Sequence, residues 1–233
     1  MFTFKQFHID DTHCAMKVGT DGVLLGAWAA LHESTNLLDI GTGSGLIALM
    51  LAQRNAQAHV TGIELDEAAA ADARQNVAAS PFASRINIVC GNVLTYPDAA
   101  GGAVFDHIVS NPPYHEEELL PPSARRHTSG GGLTFAALLR TAARVIVPGP
   151  QSRFSVILPS PALPTFLPLA AVHGFYLARQ TNVITRPGKP CKRVLLEFRL
   201  QPTPTAQTDE LVLVADDGGR SAAYSALCAD FYL

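Results

Sequence analysis

Asn111, Pro112, Pro113 and Tyr114 follow directly on the apolar run FDHIVS, and their types suit one kind of chemistry. A proline has no N–H to donate and holds φ at about −65°, and the residue before a proline is pushed into an extended conformation. The tetrapeptide therefore reads as a stiff strand terminator that leaves its carbonyls and the Asn111 amide available to something other than backbone. A planar exocyclic amine placed there can donate its two hydrogens to the Asn111 side-chain oxygen and the Pro112 carbonyl while the Tyr114 ring stacks on it. Such an amine is a poor nucleophile because its lone pair is delocalised into the ring. Two fixed acceptors favour the pyramidal nitrogen that develops during attack on an electrophile. This chemistry calls for no metal and no covalent intermediate.

A second cluster lies upstream in LDIGTGSG, residues 38–45, where Gly41, Gly43 and Gly45 sit between a strand-like and a helix-like segment. Glycines at such a turn let a ligand approach the backbone, and the helix that follows offers N–H groups without intrahelical partners. The dinucleotide fingerprint needs its third glycine at position 46, which is Leu46 here. The G-x-G-x-G spacing after Asp39, with Glu64 about twenty residues further on as a ribose-binding carboxylate, resembles the S-adenosylmethionine (SAM) methyltransferases. Asp66 reads as a helix N-cap. In that class an acid at the end of the third strand holds the adenine amine; Asn92 stands in that place, and its amide oxygen can still accept, without the charge.

These residues need elements to position them. From residue 36 onwards strand-like and helix-like segments alternate, the signature of a parallel sheet with covering helices. Strands are expected at NLLDIG, HVTGIEL, INIVCGN, FDHIVSN and SRFSVILP, with helices at LIALMLAQR, EAAAADARQNVAA, residues 133–146 and PALPTFLPLAAVHG. Two late strand candidates, residues 177–184 and 192–200, suit an antiparallel hairpin at one edge. Residues 201–208 read as a linker to a final strand and helix, and residues 114–132, with their glycine run, as a candidate lid. The N-terminal residues 1–35 read as a β-hairpin and helix that cap the crevice. One domain of 233 residues is expected, with a core over residues 36–200 and an extension over 201–233.

Composition narrows the setting. No apolar run approaches the ~20 residues that span a bilayer, and the N-terminus has no secretory pattern, so a cytoplasmic protein is expected, and a monomer is expected over an obligate oligomer. Cys14, Cys90, Cys191 and Cys228 are scattered, without metal-ligand or disulfide spacing; Cys90 falls in an expected core strand. The net charge of −3 does not suit a protein that coats nucleic acid, yet Arg179, Arg186, Lys189, Lys192, Arg193 and Arg199 share a stretch in which Glu197 is the only acid. That stretch is either a local basic face or a charged edge strand that resists aggregation.

The blocks FTFKQF, CAMKVGTDG, LLGAW, LDIGTGSGLIALMLAQR, NPPY, KRVLLEF and YSALCADFYL, spread nearly end to end, resemble the bacterial tRNA1(Val) N6-adenine methyltransferase family. That resemblance implies an α/β, Rossmann-like class I SAM-dependent methyltransferase with a mostly parallel seven-stranded sheet, an antiparallel edge hairpin and helices on both faces. It implies SAM contacts at Lys17, Thr20, Asp39, Gly41, Thr42, Gly43, Gly45, Glu64, Leu65, Asn92, Val93 and Asn111, and catalysis by Asn111, Pro112, Pro113 and Tyr114. The partner it implies is a tRNA, held by Arg125, Arg126, Arg186, Lys189, Lys192 and Arg193, whose target adenine leaves its stack to be methylated. Lys17 and Asp21 either line the cofactor pocket or fix the N-terminal cap. The acidic run Glu116, Glu117 and Glu118 has no place in phosphate binding. Rival readings are a ribosomal-RNA N6-adenine methyltransferase, a release-factor glutamine N5-methyltransferase, which carries a helical N-terminal domain that this chain has no room for before Asp39, and a non-catalytic SAM-binding module.

Overall fold

The computed structural model describes residues 1–31, 33–96, 104–113 and 133–233. In chain order its strands are β1 (Phe2–Thr3), β2 (His8–Ile9), β3 (Asn36–Ile40), β4 (His59–Glu64), β5 (Ile86–Cys90), β6 (His107–Ser110), β7 (Arg153–Pro159), β8 (Tyr176–Ile184), β9 (Cys191–Arg199) and β10 (Gln207–Val212). The helices are α1 (Thr20–Trp28), α2 (Leu46–Arg54), α3 (Glu67–Ala78), α4 (Phe135–Val145), α5 (Leu163–Val172) and α6 (Ala222–Leu227). Side chains alternate between faces along a strand, so the apolar pairs Leu37/Leu38, Ile108/Val109 and Val156/Ile157 feed one residue to each side of the sheet. Strands buried on both faces read as continuous apolar runs, as these do. Residues of α1, α2, α3 and α6 join the core on one face, and residues of α4 and α5 join it on the other. None of the helices is long and apolar enough to cross a membrane among the described residues.

The main sheet runs β10-β8-β9-β7-β6-β3-β4-β5, with β9 antiparallel to both neighbours and every other pairing parallel. The mostly parallel architecture is as the sequence implies; the strand number and the edge are not. Among the described residues the main sheet has eight strands rather than seven, and the β8/β9 hairpin is not an edge, because β10 pairs with β8. Edge strands bury little, and in β10 only Leu211 is buried, so its apolar signal is faint. Nor is the basic stretch a charged edge strand: Val194 to Phe198 are all buried, with β9 between β7 and β8. Cys90, expected in the core, is exposed, because it closes β5, the strand at the opposite edge. The four cysteines are free thiols.

The N-terminal segment forms the small β1/β2 antiparallel sheet and α1. α1 crosses α2 closely because position 26 is glycine; a Cβ there would lie 2.7 Å from Met50 Sδ. Phe4 and Phe7 stack, and the Lys5 N–H donates to the Phe231 carbonyl at 2.9 Å, which ties this segment to the last residues of the chain.

At the end of the sheet where the parallel strands begin, Glu197 faces three arginines. Its carboxylate lies 3.2 Å from Arg199 Nε, 3.5 Å from Arg153 Nε and 3.7 Å from Arg179 Nη2, and the Arg179 guanidinium lies 3.6 Å over the Trp28 ring. His107, buried nearby and 2.9 Å from Ser155 Oγ, is kept neutral: burial, reinforced by the surrounding arginines, pulls its pKa down to about 3. Removing one partner of a buried charge network leaves the others uncompensated. Glu197→Gln is therefore expected to lower stability by about 3–5 kcal/mol, read as a fall in unfolding midpoint in urea; a midpoint unchanged within error would show that the arginines are held by solvent instead.

Candidate active site

A parallel sheet brings the carboxyl ends of its strands to one rim, and ligands sit where strand order reverses. Here the chain runs outward from β3 through β4 and β5, returns to β6 on the other side of β3, and continues to β7. Ser110 is in register with Ile40, and its hydroxyl donates to the Ile40 carbonyl at 2.9 Å. That bond pins the end of β6 to the end of β3, so Asn111 emerges beside Gly41.

The turn after β3 is built for close approach. Gly41, Gly43 and Gly45 all adopt left-handed backbone, with φ of 72°, 54° and 82°. A Cβ added at Gly41 or Gly43 would meet nothing within 4 Å, so the missing side chains leave an open cradle above the backbone. Gly41 N–H and Thr42 N–H both donate to the Ile63 carbonyl, at 2.9 and 3.0 Å. The Thr42 hydroxyl donates to Asp39 Oδ2 at 2.6 Å. Asp39 is fully buried beneath the turn; burial pushes its pKa up to about 7, against the opposing pull of the Thr42 hydroxyl, with Glu64 adding like-charge repulsion. It holds the turn from below and does not line the crevice. Gly45 is likewise structural, as the N-terminal residue from which α2 starts.

Two adjoining cavities, of ≈ 330 and ≈ 300 Å³, share Met16, Gly41, Gly43 and Asn111 and so form one crevice across the switch point. The first is walled by Lys17, Thr20, Asp21, Thr42 and Ser44. The second is more apolar, with Ile40, Ile63, Leu65, Val93 and Leu94, and has Glu64, Asn92 and Pro113 at its border. Glu64 Oε2 accepts from Gly43 N–H at 2.9 Å and Oε1 from Asp66 N–H at 3.0 Å, so its carboxylate is aimed along the crevice floor. Asn92 Oδ1 accepts from Leu94 N–H at 2.9 Å, which orients the amide while leaving a second lone pair. Asp66 caps α3, accepting from Ala69 N–H at 2.8 Å.

The structure thus brings together Lys17, Thr20, Gly41, Thr42, Gly43, Glu64, Leu65, Asn92, Val93, Asn111 and Pro113. Pro112 is buried behind them. Tyr114, Arg125, Arg126 and the acidic run at 116–118 lie outside the described residues, as does the 114–132 lid. Lys17 meets both of its alternatives: it lines the crevice, and its ammonium donates to the carbonyls of Asp11 and Thr12 at 2.6 and 2.9 Å. Asp21 does likewise, accepting from Arg193 Nε at 2.7 Å, so Arg193 is engaged with the cap and is not simply a phosphate ligand. Arg186, Lys189 and Lys192 are exposed around the β8/β9 turn. Because Arg193 is in register with Pro159, the last residue of β7, this basic tip stands on the same rim as Asn111.

Sequence reasoning missed the crevice lining by Cys14, Ala15 and Met16, which no spacing rule marks. Burial pushes the Cys14 thiol up to about 11, so it stays protonated at neutral pH. Among the described residues no group of His, Cys, Asp and Glu is arranged to hold a metal ion.

The chain is similar to known proteins. A family profile described as "Methyltransferase small domain" matches residues 15–128. A protein of Serratia proteamaculans named tRNA1(Val) (adenine(37)-N6)-methyltransferase is 44% identical over 235 residues, covering 100% of this chain and 89% of that one. A Bacteroides fragilis protein of the same name is 42% identical, covering 100% of this chain and 97% of its own. Among solved structures, a predicted O-methyltransferase of Agrobacterium tumefaciens superimposes with a TM-score of 0.73 at 22% identity, covering 91% of this chain and 96% of that one. At that identity the likeness is one of fold.

The buried Asp39 gives stability a pH dependence whose sign follows from its raised pKa. Between the usual 3.8 and about 7 the folded chain keeps a proton that the unfolded chain has lost. This contribution therefore falls as pH rises through that window, by up to about 1.4 kcal/mol per pH unit, and levels off above it. Asp39→Asn is expected to remove that slope, measured as urea midpoints from pH 4.5 to 8, whatever its effect on absolute stability; a slope unchanged from the parent would place the titrating proton elsewhere.

Proposed function

The chain belongs to the family of tRNA1(Val) (adenine(37)-N6)-methyltransferases, and from that premise we propose that it transfers a methyl group from SAM to the N6 amine of adenine 37 in tRNA1(Val). The observation that carries the reading is the position of Asn111, which directly follows β6 beside β3 and borders both halves of the crevice. The residues fit SAM. The open cradle over Gly41 and Gly43 admits a ligand against the backbone, Glu64 offers a carboxylate to ribose hydroxyls, and Ile40, Ile63, Leu65 and Val93 offer an apolar slot for an adenine ring beside the Asn92 amide. Lys17 and Thr20, on the polar side, suit the amino-acid end.

When bound, SAM supplies an electrophilic methyl on a positively charged sulfur. The protein then has to present a weak nucleophile to it in line. Asn111 Oδ1 and the Pro112 carbonyl accept the two hydrogens of the target amine and favour its pyramidal form as the new bond develops, so the stabilisation is greater in the transition state than in the ground state. The rigid Asn-Pro-Pro backbone fixes both acceptors before the substrate arrives, which avoids reorganisation at the moment of reaction. Adenine inside a stacked helix cannot reach this site; a base in a single-stranded loop leaves its stack at a cost of a few kcal/mol. The rim tip bearing Arg186, Lys189 and Lys192 would meet the phosphates flanking the extruded base.

The direct test is transfer of labelled methyl from SAM to total tRNA and, separately, to ribosomal RNA from cells lacking this protein, with nucleoside analysis of the product. N6-methyladenosine in one tRNA species is expected; label in ribosomal RNA alone would keep the chemistry and discard the substrate. Asn111→Ala is expected to lower kcat by about 100-fold or more while S-adenosylhomocysteine affinity, measured calorimetrically, stays within about threefold; equal loss of both would make Asn111 a scaffold residue. Replacing Arg186, Lys189 and Lys192 together with Gln is expected to weaken tRNA binding and flatten the dependence of log K on log salt by roughly 2. An unaltered salt slope would place the phosphate contacts elsewhere on the chain.

A further inference from the structure

α3 is an alanine-rich helix whose inner face nonetheless buries two polar side chains, Asp72 and Asn76, each 6% exposed. Four residues apart, they lie one above the other on the same face. Burying polar groups is costly unless each finds a partner, and here the partners are informative. Asn76 Oδ1 accepts from Asp10 N–H at 2.8 Å; its Nδ2 donates to the Asp10 carbonyl at 2.7 Å and to the Ser44 carbonyl at 2.9 Å. One amide therefore joins the N-terminal segment to the glycine turn. One turn earlier, Asp72 Oδ2 accepts from His13 N–H at 2.8 Å, and Oδ1 lies 2.8 Å from His13 Nδ1. The hydrogen bond to Asp72 holds the His13 imidazole above its usual pKa. Between the two, Ala73 is the contact surface for the glycine turn: a Cβ on Gly45 would stand 3.5 Å from Ala73 Cβ.

What this face holds in place is the stretch that follows His13. Cys14, Ala15 and Met16 line the apolar cavity, and Met16 through Gly22 line the polar one, opposite Gly41 and Gly43. The stretch is drawn into a compact strap: Asp11 Oδ2 accepts from Val18 N–H at 2.7 Å, and Lys17 donates back to the carbonyls of Asp11 and Thr12. Its far end is fastened across the rim by Asp21 to Arg193. The glycine turn and the strap are the two walls of the crevice, and Asn76 bonds the first at Ser44 and the lead-in to the second at Asp10. A leucine at position 76 could fill the space, but it could not set the height of one wall against the other.

We propose that Asp72 and Asn76 are positioning residues for methyl transfer, registering the strap against the glycine turn so that the crevice is formed before SAM arrives. The proposal rests on the reading of the crevice as the SAM site, and its test separates the two. S-adenosylhomocysteine binding to the unaltered protein is measured first by calorimetry; no binding overturns the site reading, and the proposal with it. Where the parent binds, Asn76→Ala is expected to raise the Kd for S-adenosylhomocysteine and the KM for SAM at least about tenfold, with the KM for tRNA within about twofold. Asp72→Asn, which keeps an acceptor for His13 N–H, is expected to retain most of the SAM affinity that Asp72→Ala loses. Variants whose melting temperature falls while SAM parameters stay within about twofold of the parent would reduce the pair to core structure and overturn the proposal. If Asn76→Ala does not fold, amide exchange on the unaltered protein decides. The amides of Asp10 and His13 are expected to be protected without ligand; protection that develops only with S-adenosylhomocysteine would mean that the strap closes on the ligand, and would also overturn it.

Discussion

The pairing of β3 with β6 is the constraint on which everything at the rim depends. Both strands run the same way, and Ile40 and Ser110 are partners across the ladder. Because side chains alternate with a period of two, a slip of one residue would send Leu38 and Ile108 to the wrong face and draw Asn111 away from Gly41. The apolar runs oppose such a slip, since each face of the sheet has its own buried set. Ser110 adds a local lock by bonding the Ile40 carbonyl, just where the ladder ends. The Asn111 amide and the glycine cradle are thus set against each other by sheet energetics and need no loop to find its place.

Much of this was legible in the sequence because it is local. Three glycines at alternate positions, a proline pair after an apolar run and a carboxylate at a strand end each state a backbone requirement in a few residues, and the structure places Gly41, Gly43, Glu64 and Asn111 on one crevice. What escaped reading is non-local. A final strand is legible after the linker, but nothing in β10, where only Leu211 is buried, says that it pairs with β8 and takes the edge from the hairpin. Asp39 looks like a ligand-binding acid in the sequence, yet it is spent on Thr42 beneath the turn. Arg193 is one more cation in a basic stretch until folding delivers Asp21 to it from 172 residues away. Asp72 and Asn76 look like the solvated side of an amphipathic helix, and only their partners at positions 10, 13 and 44 show otherwise.

The two ends of the sheet put the same type of residue to different uses. Where the strands begin, arginines surround Glu197, Arg153 is buried and Arg179 is stacked on Trp28, so their charge is consumed internally. Around the β8/β9 turn, Arg186, Lys189 and Lys192 face solvent, where their field extends about a Debye length and responds to salt. A net charge of −3 conceals this polarity, since the sum does not record which cations are already answered by a neighbour.

The bond from Lys5 N–H to the Phe231 carbonyl, and that from Trp28 Nε1 to Thr181 Oγ1, join the N-terminal segment to residues far along the chain. β3 and β6 lie closer together in sequence, whereas the N-terminal cap that carries the strap is also fastened to β8 through Trp28 and to β9 through Asp21 and Arg193. Long-range contacts of this kind close slowly, because the loop entropy is lost before the contacts repay it. During folding the glycine turn would therefore form early and the far fastening of the opposing wall late. The crevice is complete only once its most distant contacts have closed, and until then the cradle stands without its cover.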